Sequence, residues 1–288
     1  MTALFALAGS LLWGLADFGG GLLTRRVPAL TVVVASQTIA VVVLGGVVAA
    51  SGGWDEAGPR LWYAVGAGAV GPVAMFAFYK ALALGPMGVV SPLGSLGVVV
   101  PVVVGLVLGE RPGVAQYAGM VVAVTGVVLA GGPQWRGAPV QRRAIVLTLV
   151  AAAGFGAVLA LLAPAADTVR GLFLALFVQR VTNVVVGGAG LVWAARRGGA
   201  VLPPQDGLPA VGRALPALSF VGLADVAANG LYMVATRHGP IAIAAVLASL
   251  YPVVTALAAR LVLSERLRTV QAAGAGLALV GTVLLASG

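Results

Sequence analysis

Apolar residues in this 288-residue chain fall in long runs separated by brief polar breaks. The runs lie near residues 2–23, 28–50, 61–82, 86–108 and 114–132, then 143–164, 170–194, 214–236, 240–262 and 269–287. Each is close to the roughly 20 residues that a helix needs to cross a hydrocarbon core of about 30 Å. The breaks are TRRVP, SGGWDEAGPR, GP at 85–86, GERPG, GGPQWRGAPVQRR, ADTVR, ARRGGAVLPPQDG, RHGP and SERLR; none is long enough to hold a domain of its own. The pattern predicts an all-α integral membrane protein with ten transmembrane helices, spans 1 to 10 in chain order.

Composition strengthens this reading. Hydrophobic residues make up 60% of the chain and charged residues 9%, with a mean hydropathy of +1.08. A soluble domain carries about a quarter charged residues, so this chain could not cover a water-facing surface. The absence of Cys excludes a disulfide framework, a thiolate zinc site and a cysteine nucleophile, and a single His, His238, excludes a multi-histidine metal site. No metal or cofactor is expected. The 42 glycines suit helices that approach closely in lipid, whereas each would cost a water-soluble helix about 1 kcal/mol. The net charge of +9 resides mostly in short connections, where Arg sets topology and meets anionic lipid; nucleic acid is not an expected partner. The first run has no basic segment before it and no cleavage site leading into a polar domain, so it reads as a retained helix.

The chain also repeats itself. LGERPGVAQYAGMVVAVTG (108–126) and LSERLRTVQAAGAGLALVG (263–281) both fit L-x-E-R-x4-Q-x2-G-x6-G, at a constant offset of 155. Glu, Arg and Gln are rare here, so their coincidence at fixed spacing is informative. FYKALALGP (78–86) resembles LYMVATRHGP (231–240) with one gap, and an offset of 142 pairs Trp13-Gly14 with Phe155-Gly156 and Gln37 with Gln179. The organisation is therefore a five-helix unit over 1–133, a linker at 134–142 and a second five-helix unit over 143–288. Five is odd, so the second unit enters the membrane in the opposite sense. Inverted repeats of this kind build transporters, because two exchanging halves open a central site to either side.

A Trp-Gly in the first span, FYKALALGP or LYMVATRHGP at the end of the third and eighth, and the repeated L-x-E-R-x4-Q-x2-G-x6-G together resemble the drug/metabolite transporter superfamily, EamA type. The resemblance covers nearly the whole chain and is strongest at 78–132 and 231–287. It implies a ten-helix secondary transporter with a central cavity lined mainly by spans 1, 3, 4, 6, 8 and 9. It implies no particular substrate, since members carry amino acids, drugs, nucleotide sugars and other metabolites. Members often have an Arg in spans 2 and 7. Arg180 fits the latter place, but its repeat partner is Thr38. The family habit puts both termini in the cytoplasm. Here twelve basic residues follow odd-numbered spans against four (Arg60, Arg111, Arg170 and Arg237) after even-numbered ones, which predicts both termini outside.

Candidate chemistry lies in the few polar residues within the spans. Asp17 sits two-thirds along span 1 in WGLADFGG and Asp225 near the middle of span 8 in VGLADVAANG. An Asp at a helix centre costs about 2.5–3.5 kcal/mol on insertion scales, so both are expected at a cavity or a polar contact. The two GLAD stretches are not repeat equivalents, and their common spelling reads as chance. Three roles stay open for these acids: a brace with Arg180, contact with an ammonium group of a substrate, and proton coupling. Asn229 follows Asp225 by four residues and shares its helix face. Gln37, Gln179 and Asn183 read as interhelical glue. Trp13, Tyr79, Tyr232, Ser91 and Ser249 are candidate lining groups, with interfacial anchoring equally open for Tyr79 and Tyr232 and packing for Trp13, and Lys80 either snorkels or meets an anion. Glu110, Arg111, Gln116 and Gly119, with Glu265, Arg266, Gln271 and Gly274, read as family markers that fix turns and cap helices. Pro72, Pro92, Pro101 and Pro252 fall inside predicted spans, where a missing N–H offers a bend or a bare carbonyl.

The expected function is export of a small organic solute, amino acids or amphipathic metabolites, across the plasma (inner) membrane by proton-coupled alternating access. The partners are therefore the solute, the bilayer and protons. No G-x4-G-K-[ST] is present, so ATP is not the direct energy source. D-D-x-x-D, H-E-x-x-H and G-x-S-x-G are also missing, and no enzyme is expected. A channel or lipid scramblase is the alternative, with a membrane-embedded enzyme behind it; inverted repeats and scarce charge within the spans argue against the channel and the scramblase.

Overall fold

The computed structural model describes residues 1–84, 90, 94, 96–130, 142–263 and 269–286, and among these the regular structure is helical. Its α-helices are α1 (Thr2–Leu23), α2 (Ala29–Ser51), α3 (Leu61–Leu84), α4 (Val99–Val107), α5 (Val114–Ala130) and α6 (Arg142–Leu162). They continue as α7 (Val169–Arg196), α8 (Gly207–Arg213), α9 (Leu215–His238), α10 (Ile241–Ala248), α11 (Tyr251–Leu263) and α12 (Thr269–Ala286). Six of them (α1, α2, α3, α6, α7 and α9) are long and apolar enough to cross a membrane.

The bundle is built inside out relative to a soluble protein. Leu4, Val42, Val185 and Leu261 point outward and are largely exposed, while Ala6, Ala64, Ala123, Ala151, Ala175 and Ala228 are fully buried. Lipid covers the large side chains, and small ones let the helices close on one another.

The helix contacts are symmetric under exchange of the two halves. The first span packs on the eighth (α1 with α9), and its counterpart is the sixth on the third (α6 with α3). The first also packs on the ninth (α10 and α11), matched by the sixth on the fourth (α4); α2 pairs with α7 and α5 with α12. The relation extends to single atoms. A Cβ on Gly14 would lie 2.7 Å from the carbonyl oxygen of Tyr251, and one on its counterpart Gly156 would lie 2.1 Å from that of Gly97. Gly97 and Tyr251 close the matching stretches GSLG and ASLY.

Two expectations change. The ninth span is not one helix over 240–262. It stops at Ala248, turns through Ser249 and Leu250, and restarts at Tyr251. Pro252 thus sits in the first turn of α11, where its missing N–H leaves no bond unmade. Pro101 is the third residue of α4, which continues directly from a 3-10 turn at Leu96–Val98. Pro252 follows a break instead of bending a continuous helix. Second, α8 forms in a stretch read as connection. Pro72 alone among the described prolines lies inside a continuous helix, α3. Pro92 and Ser91 lie outside the described residues.

Candidate functional site at the interface of the halves

A cavity of about 770 Å³, its open mouth included, lies between the two halves. Trp13, Ala16 and Asp17 of α1 face Phe155, Val158 and Leu159 of α6, and these trios are repeat counterparts at the offset of 142. Gly71 and Met75 of α3 correspond in the same way, at an offset of 154, to Asp225 and Asn229 of α9, all four in the wall. Phe78, Tyr79, Gln179, Arg180, Asn183, Val221 and Tyr251 complete the lining. Equivalent positions build both sides, yet each polar member of these pairs faces an apolar or missing side chain: Asp17 against Leu159, Asp225 against Gly71, Asn229 against Met75. The backbone is symmetric; the chemistry is not.

Asp225 is fully partnered. Its Oδ1 accepts from Trp13 Nε1 (3.0 Å) and Asn229 Nδ2 (3.0 Å). Its Oδ2 accepts from Gln37 Nε2 (3.1 Å) and forms an ion pair with Arg180 Nη1 (2.9 Å). A carboxylate offers about four acceptor sites, so this one is filled. Five helix positions on four elements meet here: Trp13 of α1, Gln37 of α2, Arg180 of α7, and Asp225 and Asn229 of α9. Arg180 Nη1 also donates to Gln37 Oε1 (2.8 Å), while its Nε and Nη2 have no partner among the described residues. Arg180 is 2% exposed, and this tie is what makes a buried guanidinium tolerable.

Asn183, one turn beyond Arg180, completes the network. Pro72 cannot donate to the carbonyl four residues back, that of Gly68. With the Asn183 amide turned so that its nitrogen faces α3, it donates to Gly68 O at 2.7 Å and its oxygen accepts from Arg180 Nη1 at 3.2 Å. The opposite orientation would donate to Gln37 Oε1 (3.1 Å) and point an oxygen at the bare carbonyl. The first satisfies the Gly68 carbonyl that Pro72 leaves bare, and it sets the amide oxygens of Asn183 and Gln37 3.1 Å apart.

Asp17 has no hydrogen bond or ion pair among the described residues. Tyr79 passes close to α1, where a Cβ on Gly20 would lie 2.3 Å from its Oη. Trp13 and Tyr232 rings are 6.2 Å apart.

Other expected site residues lie elsewhere. Tyr232 is fully buried behind the wall and Ser249 donates to Val246 O (2.7 Å); neither lines the cavity. The Lys80 ammonium sits over the Phe76 ring at 5.3 Å. Glu110 Oε1 and Oε2 accept from the N–H groups of Ile241 (2.5 Å) and Ala242 (3.1 Å), so the first half caps α10 of the second. Gly109, at φ +93, turns the chain so that Glu110 N bonds Gly105 O at 3.0 Å, and Gly105 leaves room for the carboxylate. Gln116 Oε1 accepts from Gly113 N (2.9 Å) at the start of α5, and Arg111 is exposed. Gly119 and Gly274 are buried in α5 and α12. Glu265 and Arg266 lie outside the described residues, as does the side chain of Gln271. Sequence reasoning missed Phe78, Phe155 and Tyr251 as lining groups. The pairing of Trp13-Gly14 with Phe155-Gly156 carried a usable signal for Phe155.

The model of the EamA-like transporter family matches residues 1–132 and 142–287. A solved structure described as "Crystal structure of protein" superposes with a TM-score of 0.73 at 18% identity, over 99% of this chain and 96% of that one, a likeness of fold. Comparison with curated proteins finds no match. Two consecutive family matches spanning nearly all 288 residues, on a bundle whose halves pack symmetrically about a cavity, place this chain in the EamA-like transporter family.

Proposed function

We propose that the chain is a secondary transporter that exports a small organic solute across the plasma membrane by alternating access. In this reading ten spans form two inverted five-helix repeats. The observation that carries it is a cavity walled by equivalent positions of both halves, Trp13, Ala16 and Asp17 against Phe155, Val158 and Leu159. Rocking one half against the other opens such a site to either face. The broken ninth span supports the same mechanism, since discontinuous helices border the sites of inverted-repeat carriers. The proton is the coupling ion, taken up by Asp17. The titratable groups around it are Tyr79 from α3, Asp225 from α9 and Tyr251 from α11; Arg180, the cation of the cavity, is held by Asp225. The excess of basic residues after odd-numbered spans puts both termini outside.

Counterflow in proteoliposomes, with labelled amino acids and small amines at two external pH values, tests this reading. Saturable exchange that responds to pH is expected. Exchange that never saturates, or single-channel current, would replace the carrier by a pore. A reporter fused after Gly288 that is active only in the cytoplasm would reverse the orientation.

A further inference from the structure

Resting on the transport reading, we propose that the solute is an organic ammonium ion, a small amine with an apolar body, whose charged nitrogen docks on Asp17. Among the described residues the cavity wall carries two carboxylates, Asp17 and Asp225, and one cation, Arg180. Arg180 pairs with Asp225 at 2.9 Å, and the other acceptor positions of Asp225 are taken by Trp13, Gln37 and Asn229. One acid is left over, Asp17, which has no hydrogen bond or ion pair among the described residues. A carboxylate in so apolar a place is strongly favoured to take up a single positive charge.

The surroundings select the kind of cation. No group of three or more His, Cys, Asp or Glu among the described residues could hold a metal ion, and the wall lacks the ring of oxygens that a hard cation needs. It offers aromatic surface instead: Trp13, Phe78, Tyr79, Phe155 and Tyr251. Aromatic faces attract ammonium groups and accept an apolar body. The Trp13 ring is held in place by its bond to Asp225, so the recognition surface is set before the solute arrives. An anionic or zwitterionic solute would bring a carboxylate into a wall whose one cation, Arg180, already has its charge balanced by Asp225, although its Nε and Nη2 have no partner among the described residues. The class is thus narrower than amphipathic metabolites at large: amines over amino acids and over acids of the same shape.

The test uses the full chain, purified and reconstituted, with labelled phenethylamine as probe and with phenylalanine and 3-phenylpropionate as the zwitterionic and anionic analogues. Equilibrium binding in detergent is measured in parallel with counterflow. Phenethylamine is expected to bind saturably and at least about tenfold more tightly than either analogue. Asp17→Asn is expected to weaken amine binding about tenfold or more, and Asp17→Glu, which keeps the charge, to retain most of it. Both variants are checked for wild-type thermal unfolding. Should Asp17→Asn fail to fold, Asp17→Glu and the comparison of analogues decide the matter. Amine binding unaffected by Asp17→Asn overturns the proposal. So does preferential binding and exchange of phenylalanine or phenylpropionate, which would leave the transport reading standing. Amine binding at Asp17 without any counterflow would uphold the site and overturn transport instead.

Discussion

Gly14-Leu15-Ala16-Asp17 and Gly222-Leu223-Ala224-Asp225 spell the same word on two helices that pack against each other. The structure gives the spelling a physical sense that the sequence reading denied it. In each, Gly stands three residues before Asp, on the same helix face. A Cβ on Gly14 would lie 2.4 Å from Val254 Cβ, and one on Gly222 would lie 2.2 Å from Ser36 O. Each glycine brings a neighbouring helix close, and each Asp then stands one turn further along that face. There the likeness ends: Asp225 meets four donors, whereas Asp17 meets none among the described residues. The local pattern fixes where an acid is presented; the opposing helices decide whether it braces or stays available.

Removing the cation from the braced side should have the largest effect. Arg180→Ala leaves the largely covered Asp225 carboxylate without its counter-charge, a loss on the order of 3 kcal/mol, the low end for breaking a buried pair, read as a lower midpoint in SDS unfolding of the purified chain. Arg180→Met combined with Asp225→Leu should recover most of that loss, because the uncompensated charge is gone. Equal stability of the wild type and Arg180→Ala would show that the pair is no brace.

Next comes the close approach itself. In Gly222→Ala the new methyl group meets the Ser36 carbonyl, part of a helix backbone that cannot swing aside. Overpacking of this kind costs about 1–3 kcal/mol. Gly19→Ala, two residues after the other acid, meets side-chain atoms and no backbone, Val221 Cγ2 at 3.3 Å and Phe220 Cδ1 at 3.9 Å, and should cost clearly less in the same unfolding assay. A similar cost at both positions would mean that the α2–α9 contact is looser than it looks. Gln37→Leu should be milder still, about 0.6–1.7 kcal/mol, the range of buried hydrogen bonds in membrane bundles, since Arg180 keeps its ion pair.

How much of this was legible beforehand follows the same division. Apolar run lengths gave the helices, and the matched L-x-E-R-x4-Q-x2-G-x6-G gave the repeat, because both are local signals that survive without partners. Asp17, Asp225, Asn229, Trp13 and Arg180 stood out because a polar group in lipid is costly. Their assignment did not follow, because it depends on contacts between different helices, up to 212 residues apart in sequence. The local spacing marks Glu110 as a residue that fixes a turn and caps a helix, but that the helix starts 131 residues away follows only from the fold. Ser249 and Tyr232 were read as lining groups from polarity and span alone; the break after Ala248 turns one into its own helix end, and the close packing of α1 on α9 hides the other.

The smallest effect is the most telling. Asp17→Asn keeps the shape of the side chain and breaks no bond among the described residues, so its unfolding midpoint should match the wild type within about 0.5 kcal/mol, the range of substitutions that disturb no packed or paired feature. Asp225→Asn is the same chemical change in the same four-letter context, but it strips Arg180 of its counter-charge and turns an amide nitrogen towards donors. It should lose stability in the direction of Arg180→Ala. The difference between the two Asn variants therefore measures what the opposing helices add to an identical local sequence. If Asp17→Asn destabilised the chain as much as Asp225→Asn, Asp17 would be fastened in the folded state, and the cavity would have no acid free for a proton or a solute.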